Sequence, residues 1–230
     1  GATCAFTHLP GEKNERRTRK AVEGLGIENP WLHPLDASSD EQLDAVFDAY
    51  ARDFDRLDFV VHSIAFADRE WLRPGAFKDT PRESYLGAID VSAYTLVALA
   101  SRAAPHMKDG GSILAMSYYG AEKVIPGYNV MGVAKAALEC NARYLASELG
   151  EHAIRVNTIS GGPLRTLAAS AVGGIDTMLE ETPNIAPLRR NIEGEDVGNT
   201  AVWLVSDMSA GVTGENIHVD AGAHIMGAKG

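Results

Sequence analysis

Cysteine is scarce. Cys4 and Cys140 are the only two in 230 residues, and neither stands at a CxxC or metal-ligand spacing. That excludes a disulfide scaffold and fits a reducing cytoplasm. No uninterrupted apolar run approaches the roughly 18 residues that a membrane span needs. No basic stretch leads into an apolar one, as it would in a secretory signal. The seven histidines are scattered without an HxxxH pair, so no metal site is expected. Positive charge is in deficit, with 21 Lys and Arg against 31 Asp and Glu and a net charge of −10. Such a surface favours solubility and disfavours nucleic acid.

What is present is an alternation of short apolar runs with longer helical patterns. Hydrophobic residues make up 45% of the chain, enough for one domain over 1–230. Strands are expected at 2–7, 31–35, 59–62, 112–117, 154–160 and 216–219. Helices are expected at 12–25, 39–54, 83–107, 128–149 and 197–206. In the second helix Leu43, Val46, Phe47, Tyr50 and Phe54 recur at helical spacing. Ser39 is its expected cap, with Gln42 completing a capping box. The order implies an α/β fold: a Rossmann-like, doubly wound parallel sheet between two helical layers. Residues 161–190, rich in Gly, Ala, Ser and Pro, read as a substrate lid.

Ligands of such sheets bind at the carboxyl ends of the strands. The residues there are His8-Leu9, Asp36-Ala37, Ser63 to Ala67, Ser117 to Tyr119 and Gly161 to Ala168. One usual part is missing: no GxGxxG turn occurs anywhere, although the chain holds 23 glycines. That turn normally follows the first strand and seats a pyrophosphate at a helix N-terminus. Since the first residue is Gly1 and not Met, the expectation is a fragment lacking its first strand and helix. The alternative is a minimal fold that binds no dinucleotide.

Tyr128 and Lys135 lie seven residues apart on the helix expected after the 112–117 strand. That spacing puts both on one face, about 10 Å apart along the axis, with Met131 between them. Alone, the pair reads as an ordinary amphipathic helix. Three neighbours point to chemistry instead: Tyr118 at the preceding strand end, Asn157 before the segment SGGPLRT (160–166), and TGENIHVDAGA (213–223).

With these motifs the chain resembles the short-chain dehydrogenase/reductases, and within them the bacterial enoyl-acyl-carrier-protein reductases of fatty-acid synthesis. The resemblance runs from Gly1 to about His224. It is densest in HSIAFA (62–67), SYYGAEKVIPGYNVMGVAKAALE (117–139), RVNTISGGPLRTLAAS (155–170) and EDVGNTAVWLVSD (195–207). Ordinary members of the superfamily place a tyrosine four residues before the lysine, where this chain has Met131. Their catalytic serine would fall at Tyr118. Both departures mark the enoyl reductase branch.

The resemblance implies reduction of a trans-2-enoyl thioester, carried by acyl carrier protein or coenzyme A. Tyr128 would donate to the developing enolate oxygen. Lys135, at an ordinary pKa, would anchor the nicotinamide ribose, and Tyr118 would shape the acyl pocket or assist a proton relay. Asp36 and Ala37 would border the adenine, and Ser63, Ile64 and Ala65 the adenosine and ribose. Leu164, Arg165, Thr166, Leu167 and Ala168 would cover the nicotinamide and phosphates. Ala67 and Met131 would meet the substrate. His62 reads as a satisfied core residue.

His8-Leu9 ends the first strand, and no Arg or Lys precedes Lys13. This favours NADH over NADPH, which would need a basic pair there. Related lids carry basic residues that could meet an acidic carrier. Here Gly173 to Thr177 has none, and only Arg189-Arg190 offer weak substitutes. A homotetramer is implied, with the helices at 83–107 and 128–149, bearing Ala98, Ala100, Ala134, Ala136 and Ala137, as its interface. The competing readings are a ketone or alcohol reductase of the same superfamily and a non-catalytic subunit.

Overall fold

The computed structural model describes residues 1–166 and 175–227. They group into two compact units, Gly1–Arg56 and Leu57–Gly230. In the first unit, β1 (Ala5–His8) pairs in parallel with β2 (Trp31–Pro34) through the connecting helix α1 (Glu12–Glu23), and α2 (Asp40–Asp53) follows. The first strand starts later than the 2–7 expected. Its extent is set by register, since Ala5 is the first residue with a β2 partner and His8, opposite Pro34, is the last.

Ser39 caps α2 by accepting from the Gln42 N–H at 3.3 Å. The other half of the expected capping box is not made. The Ser39 N–H already donates to Asp36 O, so Gln42 Oε1 accepts from the Asp36 N–H instead, at 2.8 Å.

The second unit is built on β3 (Phe59–His62), β4 (Gly111–Tyr118), β5 (Ile154–Gly161) and β6 (Asn216–Val219). They lie side by side in that order, all parallel. Its helices are α3 (Arg82–Ile89), α4 (Thr95–Ala103), α5 (Val130–Leu149), α6 (Ile175–Ile185) and α7 (Gly194–Val205). β4 and β5 are buried along nearly their whole length because both faces are covered. Ile113, Ala115 and Val156 pack with Leu96 and Ala100 of α4 and Leu138 and Ala142 of α5. Leu114 and Ile159 point the other way, onto Leu204 of α7.

Three helix expectations need correction. The run expected at 83–107 is broken by a π-helical turn, Asp90–Tyr94, between α3 and α4. This turn buries Ser92 and lets Thr95 Oγ1 donate to Val91 O at 2.7 Å. Helix α7 begins three residues before the expected start, at a capping box between Glu193 and Asp196. Helix α6 falls in the stretch 161–190 for which no helix is expected, where the glycines before it and an internal Pro183 hide it.

Taken whole, Arg82–His106 is long and apolar enough by length and composition to cross a membrane. Its Ala93, Leu96 and Ala100 are buried against the sheet, which accounts for that composition. Of the alanines expected at an interface, Ala98, Ala100 and Ala134 are buried within the chain, Ala136 is exposed and Ala137 half-buried.

Asn157, fully buried on β5, ties the sheet to the segment before β6. Its Nδ2 donates to Val212 O at 2.9 Å, and its Oδ1 accepts from the Glu215 N–H at 3.0 Å. Replacing it leaves the Val212 carbonyl and the Glu215 N–H, both in part-buried bonds, without these partners. Asn157→Ala is expected to lower unfolding free energy by about 2–4 kcal/mol, measured by chemical denaturation. A change under about 1 kcal/mol would show that water replaces both bonds.

Candidate active site

The site lies at the carboxyl ends of β3, β4 and β5, which the parallel sheet brings to one edge. Ser63, Ile64 and Ala65 leave β3 directly, with Ser63 and Ala65 exposed and Ile64 half-buried. The hydroxyl of Ser92, in the π-helical turn, bonds both the N–H and the carbonyl of Phe66 at 3.0 Å. Ser92 Oγ also lies 3.8 Å from Met131 Sδ. The turn therefore clips the segment after β3 to the start of α5.

Tyr128 is not on the helix, so its one-face relation to Lys135 does not follow from helical spacing. It sits in the turn before α5, its N–H donating to Ile125 O. Asn129, next in the chain, has φ +47° and ψ −121°, a conformation that costs a side-chain-bearing residue energy. Its amide offsets that cost by donating to Trp71 O at 2.6 Å and Arg73 O at 2.8 Å.

This geometry stands the Tyr128 ring edge-on to Tyr118, with centroids 4.8 Å apart. Ala67, Tyr118, Tyr128 and Met131 thus come together in one apolar cluster with Leu72, Tyr85, Ala88, Ile125 and Val130. Glycine is required beside it. A Cβ on Gly120 would stand 2.3 Å from the Tyr128 ring, and one on Gly132 would stand 2.6 Å from Gly120 O.

Burial raises the Tyr128 phenol above its ordinary range, with Tyr118 and then Glu139 adding to it, and burial raises Tyr118 too. Both are neutral donors at working pH. The Tyr118 hydroxyl contacts Met178 Sδ on α6 at 3.7 Å. The Tyr128 hydroxyl has no hydrogen bond among the described residues.

Lys135 is buried, and its ammonium donates to Met116 O at 2.6 Å. Its pKa is not ordinary. Burial pulls it down to about 8, and the nearby Glu139 carboxylate opposes part of that fall. His62 is also buried. Thr95 Oγ1 spends its proton on Val91 O, so the His62 Nε2–H donates to Thr95 Oγ1 at 2.8 Å. Burial and the Lys135 charge push His62 down to about 3, so it is neutral. Its Nδ1 has no partner among the described residues, so it is not the fully satisfied core residue expected.

Other expected site residues are placed as follows. Asp36 Oδ1 accepts from the Ser38 hydroxyl and N–H, which lowers its pKa, and Ala37 is buried; both belong to the first unit. Leu164 packs on Ala186, Ile192 and Ala221. Arg165 pairs with Asp176 at 2.7 Å, with both side chains exposed. The Thr166 N–H donates to Leu164 O. Leu167 and Ala168, with the rest of 167–174, lie outside the described residues. Of the two arginines suggested for carrier docking, Arg190 holds Asp196 through two bonds of 2.7 and 2.8 Å, and the exposed Arg189 donates to Asn184 O. Among the described residues no group of three or more His, Cys, Asp or Glu is placed to hold a metal ion.

Sequence reasoning missed Ser92, Tyr85, Met178 and Glu139. The first three carry no spacing signal. Glu139 did, standing four residues after Lys135 on the same helix face.

The depressed pKa of Lys135 makes a stability prediction. Between about 8 in the folded chain and about 10.4 unfolded, the unfolded state binds more protons, so stability rises with pH there. Below pH 8 the folded chain carries the full penalty. Lys135→Met should therefore stabilise the ligand-free protein at pH 7, by roughly 1–3 kcal/mol, and this gain should vanish above about pH 10.4. Thermal unfolding against pH measures it. A destabilised variant at pH 7 would mean that the bond to Met116 O outweighs desolvation.

Known proteins resemble the chain along nearly its whole length. The family described as "Enoyl-(Acyl carrier protein) reductase" matches residues 1–224. The chain is 48% identical to Enoyl-[acyl-carrier-protein] reductase [NADH] FabI of Bacillus cereus, covering 99% of this chain and 88% of that protein. It is also 48% identical to Enoyl-[acyl-carrier-protein] reductase [NADPH] FabI of Staphylococcus aureus, over 98% of this chain and 88% of that one. A crystal structure of the Bacillus cereus reductase with NADP+ and indole naphthyridinone superposes with a TM-score of 0.95 at 47% identity, covering 99% of this chain and 88% of that chain. With tyrosines at 118 and 128, a lysine at 135 and this match along nearly its whole length, the chain belongs to the enoyl-acyl-carrier-protein reductase family.

Proposed function

We propose that the chain reduces trans-2-enoyl thioesters with NADH, and that Tyr128, Lys135 and Tyr118 carry the reaction. The observation behind this is the Tyr128 hydroxyl: a neutral phenol, buried in an apolar cluster, with no hydrogen bond among the described residues. A polar ligand also suits the strand ends, where Ser160 Oγ is buried without a partner among the described residues. When bound, the reduced nicotinamide supplies hydride to C3 of the acyl chain. Negative charge then collects on the thioester oxygen, and the Tyr128 hydroxyl donates to it. Lys135 holds the nicotinamide-ribose hydroxyls and places positive charge beneath that oxygen. Tyr118, Met131 and Ala67 wall the acyl chain, and C2 of the enolate takes its proton from solvent through the Tyr128 and Tyr118 hydroxyls, which completes the saturated thioester. Ser63, Ile64 and Ala65 lie along the adenosine side, and Leu164 to Thr166 along the nicotinamide.

Tyr128→Phe removes the donor and keeps the ring. It should lower kcat by about 10²-fold or more while leaving the NADH dissociation constant unchanged. An unaltered kcat would move the donor role to another group.

The NADH assignment rests on the end of β1, where His8 Nδ1 is taken up by Leu9 O and no cation precedes Lys13. Michaelis constants should favour NADH. A preference for NADPH, as named for the Staphylococcus aureus relative, would implicate Lys13 or Arg16. With both Arg189 and Arg190 engaged, coenzyme A and carrier-protein thioesters are read as alternative substrates. The working form is read as a cytoplasmic homotetramer. The exposed Leu86, Tyr94 and Tyr144 on the outer faces of the helices at 82–106 and 130–149 supply apolar surface for it.

A further inference from the structure

We propose that Glu139 is a positioning residue of this reaction: its buried carboxylate is the fixed counter-charge of Lys135 and anchors the strand end that carries Tyr118. The proposal rests on the Lys135 reading above. Glu139 stands one turn after Lys135 on α5, where residues four apart are surface neighbours on one helix face. Both are buried. A buried ammonium needs compensation. The Met116 carbonyl supplies a dipole, and Glu139 supplies charge.

The carboxylate is held from two strands. The Ser117 hydroxyl, one residue before Tyr118, makes a very short bond to Glu139 Oε1, and Asn216 Nδ2 donates to the same oxygen at 3.2 Å. The Asn216 amide is itself oriented. Thr158 Oγ1 donates to its Oδ1 at 2.8 Å, so Nδ2 must face the carboxylates. Ser117 of β4 and Asn216 of β6 therefore fix the carboxylate, and Thr158 of β5 orients the Asn216 amide. Structural glue alone would not require a charge here, since an amide could accept the same bonds. The titratable neighbours facing Glu139 are the neutral Tyr128, Glu122, which bonds Asn216 and His218, together with Arg143 and His218. Facing Lys135 are Glu139 and the neutral His62.

The readout is the alkaline limb of kcat/KM for NADH-dependent enoyl reduction. In Glu139→Gln this limb should move down by about one pH unit, tenfold in activity on the falling side, because Lys135 loses its proton earlier. Glu139→Asp keeps the charge and should leave the limb within a few tenths of a unit, about the scale of its altered reach. A limb that stays put in Glu139→Gln would overturn the proposal. So would equal shifts in both variants, which would make shape and not charge the cause. If Glu139→Gln fails to fold, a full-unit shift in Glu139→Asp overturns it, and an unmoved limb supports it. Lys135→Met tests the underlying reading separately. If that variant keeps NADH binding and turnover, the lysine assignment fails, whatever Glu139 does.

Discussion

The constraint on which the rest depends is the burial of one ammonium. Lys135 sits inside the molecule and donates to the carbonyl of Met116 near the end of β4. Taking a charge out of water costs several kcal/mol even after relaxation, on the order of magnitude known for buried ions. The chain accepts that cost at a strand end and offsets it with a carbonyl dipole and a carboxylate one turn away. Helix α5 is thereby tied to the sheet where β4 delivers Tyr118.

The second requirement is a bent entry into α5. A helix running through Tyr128 would carry the phenol on the helical surface. Instead the chain turns at Pro126-Gly127, and Asn129 takes a strained backbone conformation held by the carbonyls of Trp71 and Arg73. Gly120 and Gly132 leave room for the ring. The π-helical turn at Asp90–Tyr94 performs a parallel task for the segment after β3, through Ser92. Strain and irregular backbone are spent where side chains must be aimed.

Polar side chains supply the rest of the precision. Thr95 fixes the His62 tautomer, Thr158 fixes the Asn216 amide, and Asn157 fastens β5 to the segment before β6. Each is buried or half-buried, where a bond left unmade would cost more than a made one gains. The apolar clusters on the two faces of the sheet set the distance between layers, and these polar links set register and orientation.

Much of the architecture was legible in sequence, because period and punctuation are local. The short strands β4 and β5 and the cap at Ser39 follow from neighbouring residues. The Tyr118, Tyr128, Met131 and Lys135 set likewise pointed to the chemistry. What sequence could not decide were features made by distant partners. The π-helical turn depends on a strand 30 residues away, and the place of Tyr128 in the turn before α5 depends on carbonyls at 71 and 73. The depressed pKa of Lys135 is likewise a tertiary result, whereas the bonds of Gln42 to Asp36 and of Arg190 to Asp196 are local and arise from competition among nearby partners. Burial arises only once the chain has closed on itself. The sequence therefore determined which groups are present at the site, and folding decided which of them remain free to react.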